Sequence, residues 1–92
     1  MTISKQEFLV RAQLQRKMLE AWIEEKWLIP SEAAGEVMFS DADVARAQLI
    51  RDLKNDLGIN DEGVGAVLNL IDQVHGLRRV LTEVLSSARS RT

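Results

Sequence analysis

One local pattern recurs at three places in this sequence and determines most of what the chain can fold into. Each copy has an apolar residue, a capping residue, an acidic first turn and a second apolar residue five positions after the first. The cap accepts from free backbone N–H groups, and the two apolar residues staple the chain to the first helical turn. The copies are Ile3–Phe8, Phe39–Val44 and Ile59–Val64. They predict helices that begin near residues 5, 41 and 61.

The three copies differ in how completely they can cap. Ser4 and Glu7 predict a capping box, in which each side chain satisfies a backbone N–H at the other's position. Asp43 takes the place of the glutamate in the second copy, whereas Gly63 leaves the third copy without a reciprocal carboxylate. Acidic residues in these first turns also suit the positive end of the helix dipole.

The stretch from Lys5 to Leu28 contains no Gly, Pro, Ser or Asn to mark a break. Periodicity alone permits one long helix, with Met18, Trp22 and Ile29 on its inner face. Ile29-Pro30 ends this helical region, because proline disfavours helical conformation at the residue before it. The segment 31–38, with Gly35 inside, is typical of a loop or a short two-stranded wing.

The second half of the chain predicts two further helices. The third runs from about residue 41 to 57 and stops at Gly58, and the fourth runs from about residue 61 to 88. Its apolar residues form an a/d heptad seam that only Arg78 breaks, with further apolar residues on both flanks. A stripe this wide exceeds what one side of a small core can cover. We therefore expect a homodimer through this helix, with Val74, Leu81 and Leu85 in the contact.

Composition excludes several classes of function. A chain of 92 residues predicts a single domain over residues 1–92, too small for a large catalytic cleft. It has no cysteine, one histidine and no Gly-rich phosphate loop, so we expect no enzyme, no cofactor and no metal site. The histidine, His75, has no metal-ligating residue at i±4 in its helix. Trp22 and Trp27 are expected in or at the edge of the core rather than as an exposed contact.

Charge and hydropathy bear on partners and location. The formal net charge is −2, which does not favour the phosphate neutralisation that dominates affinity for nucleic acid. No apolar run approaches the roughly 20 residues that span a bilayer, and the N-terminus lacks the pattern of a secretory signal. We expect a cytoplasmic protein that does not insert into a membrane.

Short motifs give the chain a family resemblance. Leu28-Ile29-Pro30 resembles the Gly-Leu-Ile-x-Pro exit of the second helix in MerR-type proteins, and the segment 35–40 resembles their Gly-Tyr-Arg-x-Tyr-Ser wing. The resemblance implies a mainly all-α fold, a MerR-like winged helix-turn-helix over about residues 4–39 with a long C-terminal helix. It also implies a turn near residues 12–14 that divides the first helical stretch in two.

A narrower resemblance lies in the second half. Asp56–Asn60 followed by Gly63-Val64, and Leu68–Asp72 before Leu77–Arg79, are similar to the CbpM type of chaperone modulator. Members of that family bind the J-domain of a DnaJ-like co-chaperone called CbpA and restrain its activity. The resemblance implies the same kind of partner for this chain.

Departures from the MerR pattern point in the same direction. Where those regulators carry Leu-Arg-Tyr-Tyr, this chain has Leu19–Trp22 with Glu20 in place of the arginine, and Val37 replaces the phosphate-contacting arginine of the wing. Each change removes a cation from a surface where phosphate contacts supply most of the affinity. Specific binding to duplex DNA is therefore not expected, although a DNA-binding regulator remains the alternative.

Three glutamates are the candidate contacts for a protein partner. Glu20 and Glu24 share one face of the second helix with Arg16, and Glu36 lies in the wing. A J-domain presents a basic helix to its chaperone partner, and an acidic face would complement it. The alternative interpretation is that both helix glutamates form a solvated face and support Arg16 through i, i+4 pairs.

Overall fold

The computed structural model describes residues 2–90 and is mainly helical, as expected. The chain divides into two compact units, one ending at Asn60 and the other beginning at Asp61. The first contains β1 (Thr2–Ser4), α1 (Lys5–Ala12), α2 (Arg16–Glu24), β2 (Ser31–Ala33), β3 (Glu36–Ser40), α3 (Asp41–Arg51) and a π-helical segment (Asp52–Asp56). The second is a single helix, α4 (Asp61–Ser90).

A small antiparallel sheet accompanies the helices, with strand order β1-β3-β2. The predicted two-stranded wing is confirmed, with Ser31 paired to Met38 at its base. Its turn consists of Ala34 and Gly35, at φ 53° and 80°, as a two-residue hairpin turn of type I′ requires. The third strand, β1, was not expected, because three residues that also serve to cap a helix carry no readable alternation.

α1 and α3 begin where the sequence predicts, but only α3 has a complete capping box. Ser40 and Asp43 form the complete capping box of α3, with bonds of 3.2 and 2.9 Å in the two directions. At α1 the Ser4 hydroxyl accepts from the Glu7 backbone N–H at 3.3 Å. The Glu7 carboxylate turns away from the cap and pairs with Arg11 at 3.2 Å, so the reciprocal half of that predicted box is absent.

The turn between α1 and α2 lies where the resemblance predicted it. Gln13 caps α1 in the left-handed conformation, at φ 55°, and Leu14 between the helices is buried. An α-helix cannot continue through a residue in the left-handed conformation. Gln13 therefore separates α1 from α2, a division that periodicity alone did not indicate.

The core of the first unit has an aromatic centre. The rings of Phe8 and Phe39 stack with their centroids 4.1 Å apart, which joins α1 to β3. Trp22 and Trp27 lie 6.3 Å apart and are both buried, so their predicted place in the core is confirmed.

The predicted inner face of α2 is wrong at two of its three positions. Met18 is 45% exposed and Ile29 is 76% exposed. The residues that α2 buries are Leu19 and Trp22, one helical turn apart. The prediction used the spacing of one uninterrupted helix, and the end of α2 at Glu24 takes Ile29 out of that helical register.

Arginines of α3 bind the C-terminal end of α1 and the segment that follows α2. The Arg51 guanidinium donates to the Ala12 carbonyl at 3.1 Å and to Oε1 of Gln13 at 3.3 Å. Arg46 donates through Nε to the Trp27 carbonyl, just beyond α2. The last carbonyls of a helix have no partner within it, so Arg51 both satisfies the carbonyl that ends α1 and complements its helix dipole, whereas Arg46 fixes the turn three residues beyond the end of α2.

The third helix ends differently from the prediction. The third helix, predicted to reach Leu57, changes from α to π geometry after Arg51, and the chain then turns at Gly58, at φ 65°.

The 30 residues of α4 correspond to about 45 Å of helix. Within residues 2–90, no helix is long and apolar enough to cross a membrane.

We expect Arg51→Met to lower the free energy of unfolding by about 2 kcal/mol, because it removes charge-assisted bonds from a half-buried helix end. Arg11→Met is the matched control, since the ion pairs of Arg11 with Glu7 and Asp41 are exposed and pairs of that kind contribute at most about 1 kcal/mol. Urea unfolding of both variants measures the difference. Equal losses would show that Arg51 does not hold the turn.

Candidate interaction surfaces

The outward face of α2 carries the predicted acidic pair. Arg16, Glu20 and Glu24 are all exposed, at the i, i+4 spacing that places them on one side of the helix. Within residues 2–90 no ion pair joins Arg16 to Glu20, unlike Arg11, which pairs with Glu7 and Asp41. The exposure of both glutamates agrees with a solvated face, and the support of Arg16 through an i, i+4 pair is not observed.

The rest of α2 and the wing add to this acidity. Glu36 is exposed at the start of β3, and two glutamates that the sequence interpretation overlooked, Glu25 and Glu32, are exposed as well. Residues 16–40 contain five glutamates against three cations, Arg16, Lys17 and Lys26. The i, i+4 criterion missed Glu25 and Glu32 because one caps α2 and the other lies in β2; counting charge over the whole segment would have found them.

A hollow of about 310 Å³ lies between the start of α1 and the wing, lined by Ser4, Lys5, Gln6, Glu36 and Val37. The strand register creates it. β1 pairs with β3 only as far as Ser4 opposite Met38, and the chain then turns into α1. Glu36 and Val37 therefore extend past the end of β1, beside the first residues of α1.

The second unit presents a long apolar stripe. Seven large apolar side chains of α4 between residues 70 and 85 are 49–69% exposed: Leu70, Val74, Leu77, Val80, Leu81, Val84 and Leu85. The three predicted self-association residues are among them. Val64 and Leu68, in contrast, are buried. The exposed large apolar side chains of α4 therefore begin at Leu70, more than two turns into the helix.

The exposed residues define a different heptad seam from the predicted one. Leu70, Val74, Leu77, Leu81 and Val84 follow one another at alternating spacings of four and three, the pattern of an uninterrupted coiled-coil seam. Arg78 falls outside it, whereas the predicted seam passed through Arg78. We call these five residues the α4 seam. Leu85 lies on its flank.

Charges along α4 are unevenly distributed. The first half contains Asp61, Glu62 and Asp72 and no Lys or Arg, whereas Arg78, Arg79 and Arg89 outnumber Glu83 in residues 75–90. His75 lies between these halves. Within residues 2–90 no group of three His, Cys, Asp or Glu side chains is placed to hold a metal ion.

Together these features define a class. Two short helices joined by a left-handed turn, a hairpin wing and a supporting third helix form a winged helix-turn-helix. The profile described as MerR HTH family regulatory protein matches residues 3–84. The chain belongs to this family. No curated protein matches the sequence.

The structure corrects the alignment of the family's helix-exit motif, Gly-Leu-Ile-x-Pro. Lys26, at φ 62°, has the left-handed conformation that suits the glycine of the motif. Trp27 and Leu28, both buried, then occupy the apolar pair, and exposed Ile29 occupies the variable position before Pro30. The sequence comparison had matched Leu28 and Ile29 to the apolar pair, one residue too far along.

Gly76 offers a direct test of whether α4 approaches another helix closely on that side. A Cβ added there meets no atom within 4 Å, so Gly76→Ala should stabilise the helix by up to about 1 kcal/mol through propensity alone. Urea unfolding checks this value. A loss of stability would mean that a partner helix needs the space next to Gly76.

Proposed function

We propose that this protein is a non-catalytic modulator that binds the J-domain of a CbpA- or DnaJ-like co-chaperone and restrains its activity. The observation that carries the proposal is the exposed pair Glu20 and Glu24 on α2. In the regulators that the chain resembles, this helix approaches DNA with arginine and tyrosine. Here the same scaffold directs carboxylates outward.

Electrostatics support a basic protein partner over a polyanion. The five glutamates of α2 and the wing would repel phosphate, and their excess over the three cations leaves no net positive field to release counterions from DNA. The same glutamates would attract a basic helix. Complementary charge raises its association rate and selects its orientation.

Restraint follows from the same contact. A J-domain uses its basic helix to engage its chaperone partner, as the resemblance implies, so a protein that covers this helix competes with that partner. No group on the modulator has to react. The degree of restraint then depends on relative affinities and concentrations.

The alternative, a DNA-binding regulator, is favoured by membership in the MerR HTH family. Arg16, Lys17 and Lys26 are exposed and would have to supply the phosphate contacts. Three cations at most, interspersed with five carboxylates, provide far less than the 6–10 contacts typical of tight binding. A specific complex with duplex DNA that is lost on changing Arg16 or Lys17 would favour this alternative.

The acidic pair can be tested by charge reversal. We expect Glu20→Lys with Glu24→Lys to weaken binding to a CbpA-like J-domain, by roughly tenfold or more at low salt and by less at high salt, where screening is stronger. Calorimetry at two salt concentrations measures both effects. Circular dichroism should stay unchanged, because both side chains are exposed.

Reversal of Asp52 and Asp56 to Lys is the matched control. It makes the same charge change in the same unit, at exposed positions of the π-helical segment. A loss of affinity in this control, with native affinity in the α2 variant, would place the interface near the junction of α3 and α4, where Asp61 and Glu62 also lie.

We also propose that two copies of the chain associate through the α4 seam. Isolated helices are marginal in water and draw most of their stability from a packed apolar face, and exposed apolar stripes of this length mark interaction sites. An antiparallel pair would place the acidic first half of one α4 beside the basic second half of the other. It would also pair opposite ends of the helix dipoles.

Leu81→Glu should shift the sedimentation mass of the protein toward the monomer, because it places a charge in the middle of the seam. Ser86→Glu adds the same charge to α4 outside the seam and is the control. Sedimentation equilibrium over a range of concentrations decides the matter. A native protein that stays monomeric at high concentration contradicts self-association.

A further inference from the structure

We propose that the hollow between α1 and the wing receives one apolar side chain of an amphipathic basic helix, with Val37 as its main contact. The inference rests on the proposed function and adds an apolar anchor to an interface so far argued from charge alone. Strong contacts in protein interfaces come from side chains that fill pockets, whereas exposed rim charges mainly affect association rate.

Val37 is the one large apolar side chain of the hollow. It is 37% exposed, whereas Phe39, two residues on along the same face of β3, is completely buried. The surrounding residues Ser4, Gln6 and Lys5 come from the other wall. An entering side chain would therefore contact a fixed β-strand on one side and a capped helix start on the other.

Charge at the two rims specifies the partner. Glu36 also lines the hollow, so its charge favours a cation near the entering apolar group. Lys5 on the opposite wall repels a second cation there. The arrangement fits a helix that places an apolar residue in the hollow and a Lys or Arg at i+3 or i+4 toward Glu36.

Duplex DNA fits the Glu36–Val37 wall of this hollow poorly, and Lys5 is the one cation of the lining that would attract a phosphate. The DNA backbone would bring phosphates to the Glu36 carboxylate, and Val37 has no side-chain group that donates to a phosphate oxygen. An apolar side chain of a protein gains from contact with Val37, and a nucleic acid backbone does not.

The experiment separates the apolar anchor from the rim charge. Affinity for a CbpA-like J-domain is measured by calorimetry at low and high salt for Val37→Ala, for Glu36→Gln and for Val10→Ala. Val10 is the control because it is 76% exposed and does not line the hollow. Val37→Ala should weaken binding about fivefold to tenfold at both salt concentrations, since burial of apolar surface is not screened.

The other two variants should behave differently. Glu36→Gln should weaken binding more at low salt than at high salt, and Val10→Ala should bind like the native protein. Val37→Thr keeps the branched shape that suits a strand and replaces a methyl group with a hydroxyl, so it should also weaken binding. If Val37→Ala does not fold, Val37→Thr still tests the apolar anchor.

The results distinguish an error about the apolar anchor at Val37 from an error about J-domain binding as a whole. Native affinity in a folded Val37→Thr, together with the loss caused by reversing Glu20 and Glu24, would overturn the anchor and leave J-domain binding standing. A native protein that does not bind the J-domain at either salt concentration would overturn both. Equal losses in Val37→Ala and Val10→Ala would also overturn the anchor.

Discussion

The helix-turn-helix depends on cations from α3 and the π-helical segment after it, which bind the end of α1 and the segment that follows α2. Arg51 binds the carbonyl that ends α1, and Arg46 binds the Trp27 carbonyl beyond α2. Lys54 lies 5.6 Å over the Trp27 ring and adds a cation–π contact. Neither short helix would be stable alone. Their angle to each other therefore depends on where α3 and the π-helical segment place these cations, and the Ser40–Asp43 box sets the point at which α3 begins.

Local chemistry made much of this fold predictable. Capping residues located the starts of α1, α3 and α4, and Gly35 indicated the wing, whereas the prediction that the second helix ends at Ile29-Pro30 is wrong, because α2 ends at Glu24. The inner face of α2 and strand β1 were not predictable in the same way. Ile29 falls on the helical period only if α2 continues to it, and α2 ends before Lys26, whose left-handed conformation is unfavourable for lysine. Met18 lies within α2 one turn before Trp22, and its periodic position gave no sign that it is exposed. Strand β1 exists because β3 offers a partner.

The candidate surfaces also differ in how far the sequence predicted them. Exposure of Glu20, Glu24 and Glu36 followed from helix spacing and from the hairpin, which are local properties. The hollow at Val37 depends on where β1 stops pairing with β3, which is a long-range register that no short motif encodes. The α4 seam falls between these cases: the sequence revealed a wide stripe, and the exposure of individual side chains showed that the seam runs through Leu70, Val74 and Leu77 and not through Arg78.

The anchoring of α2 has an evolutionary consequence. Everything that holds this helix in place lies behind it or at its end, through Leu19, Trp22 and the Trp27 carbonyl. Its outward positions contribute little to stability, and surface substitutions of this kind usually change stability by no more than about 0.5 kcal/mol. Selection can therefore exchange what the helix recognises, one side chain at a time, without passing through an unfolded intermediate sequence. A scaffold built in this way can move between classes of ligand while its architecture stays constant.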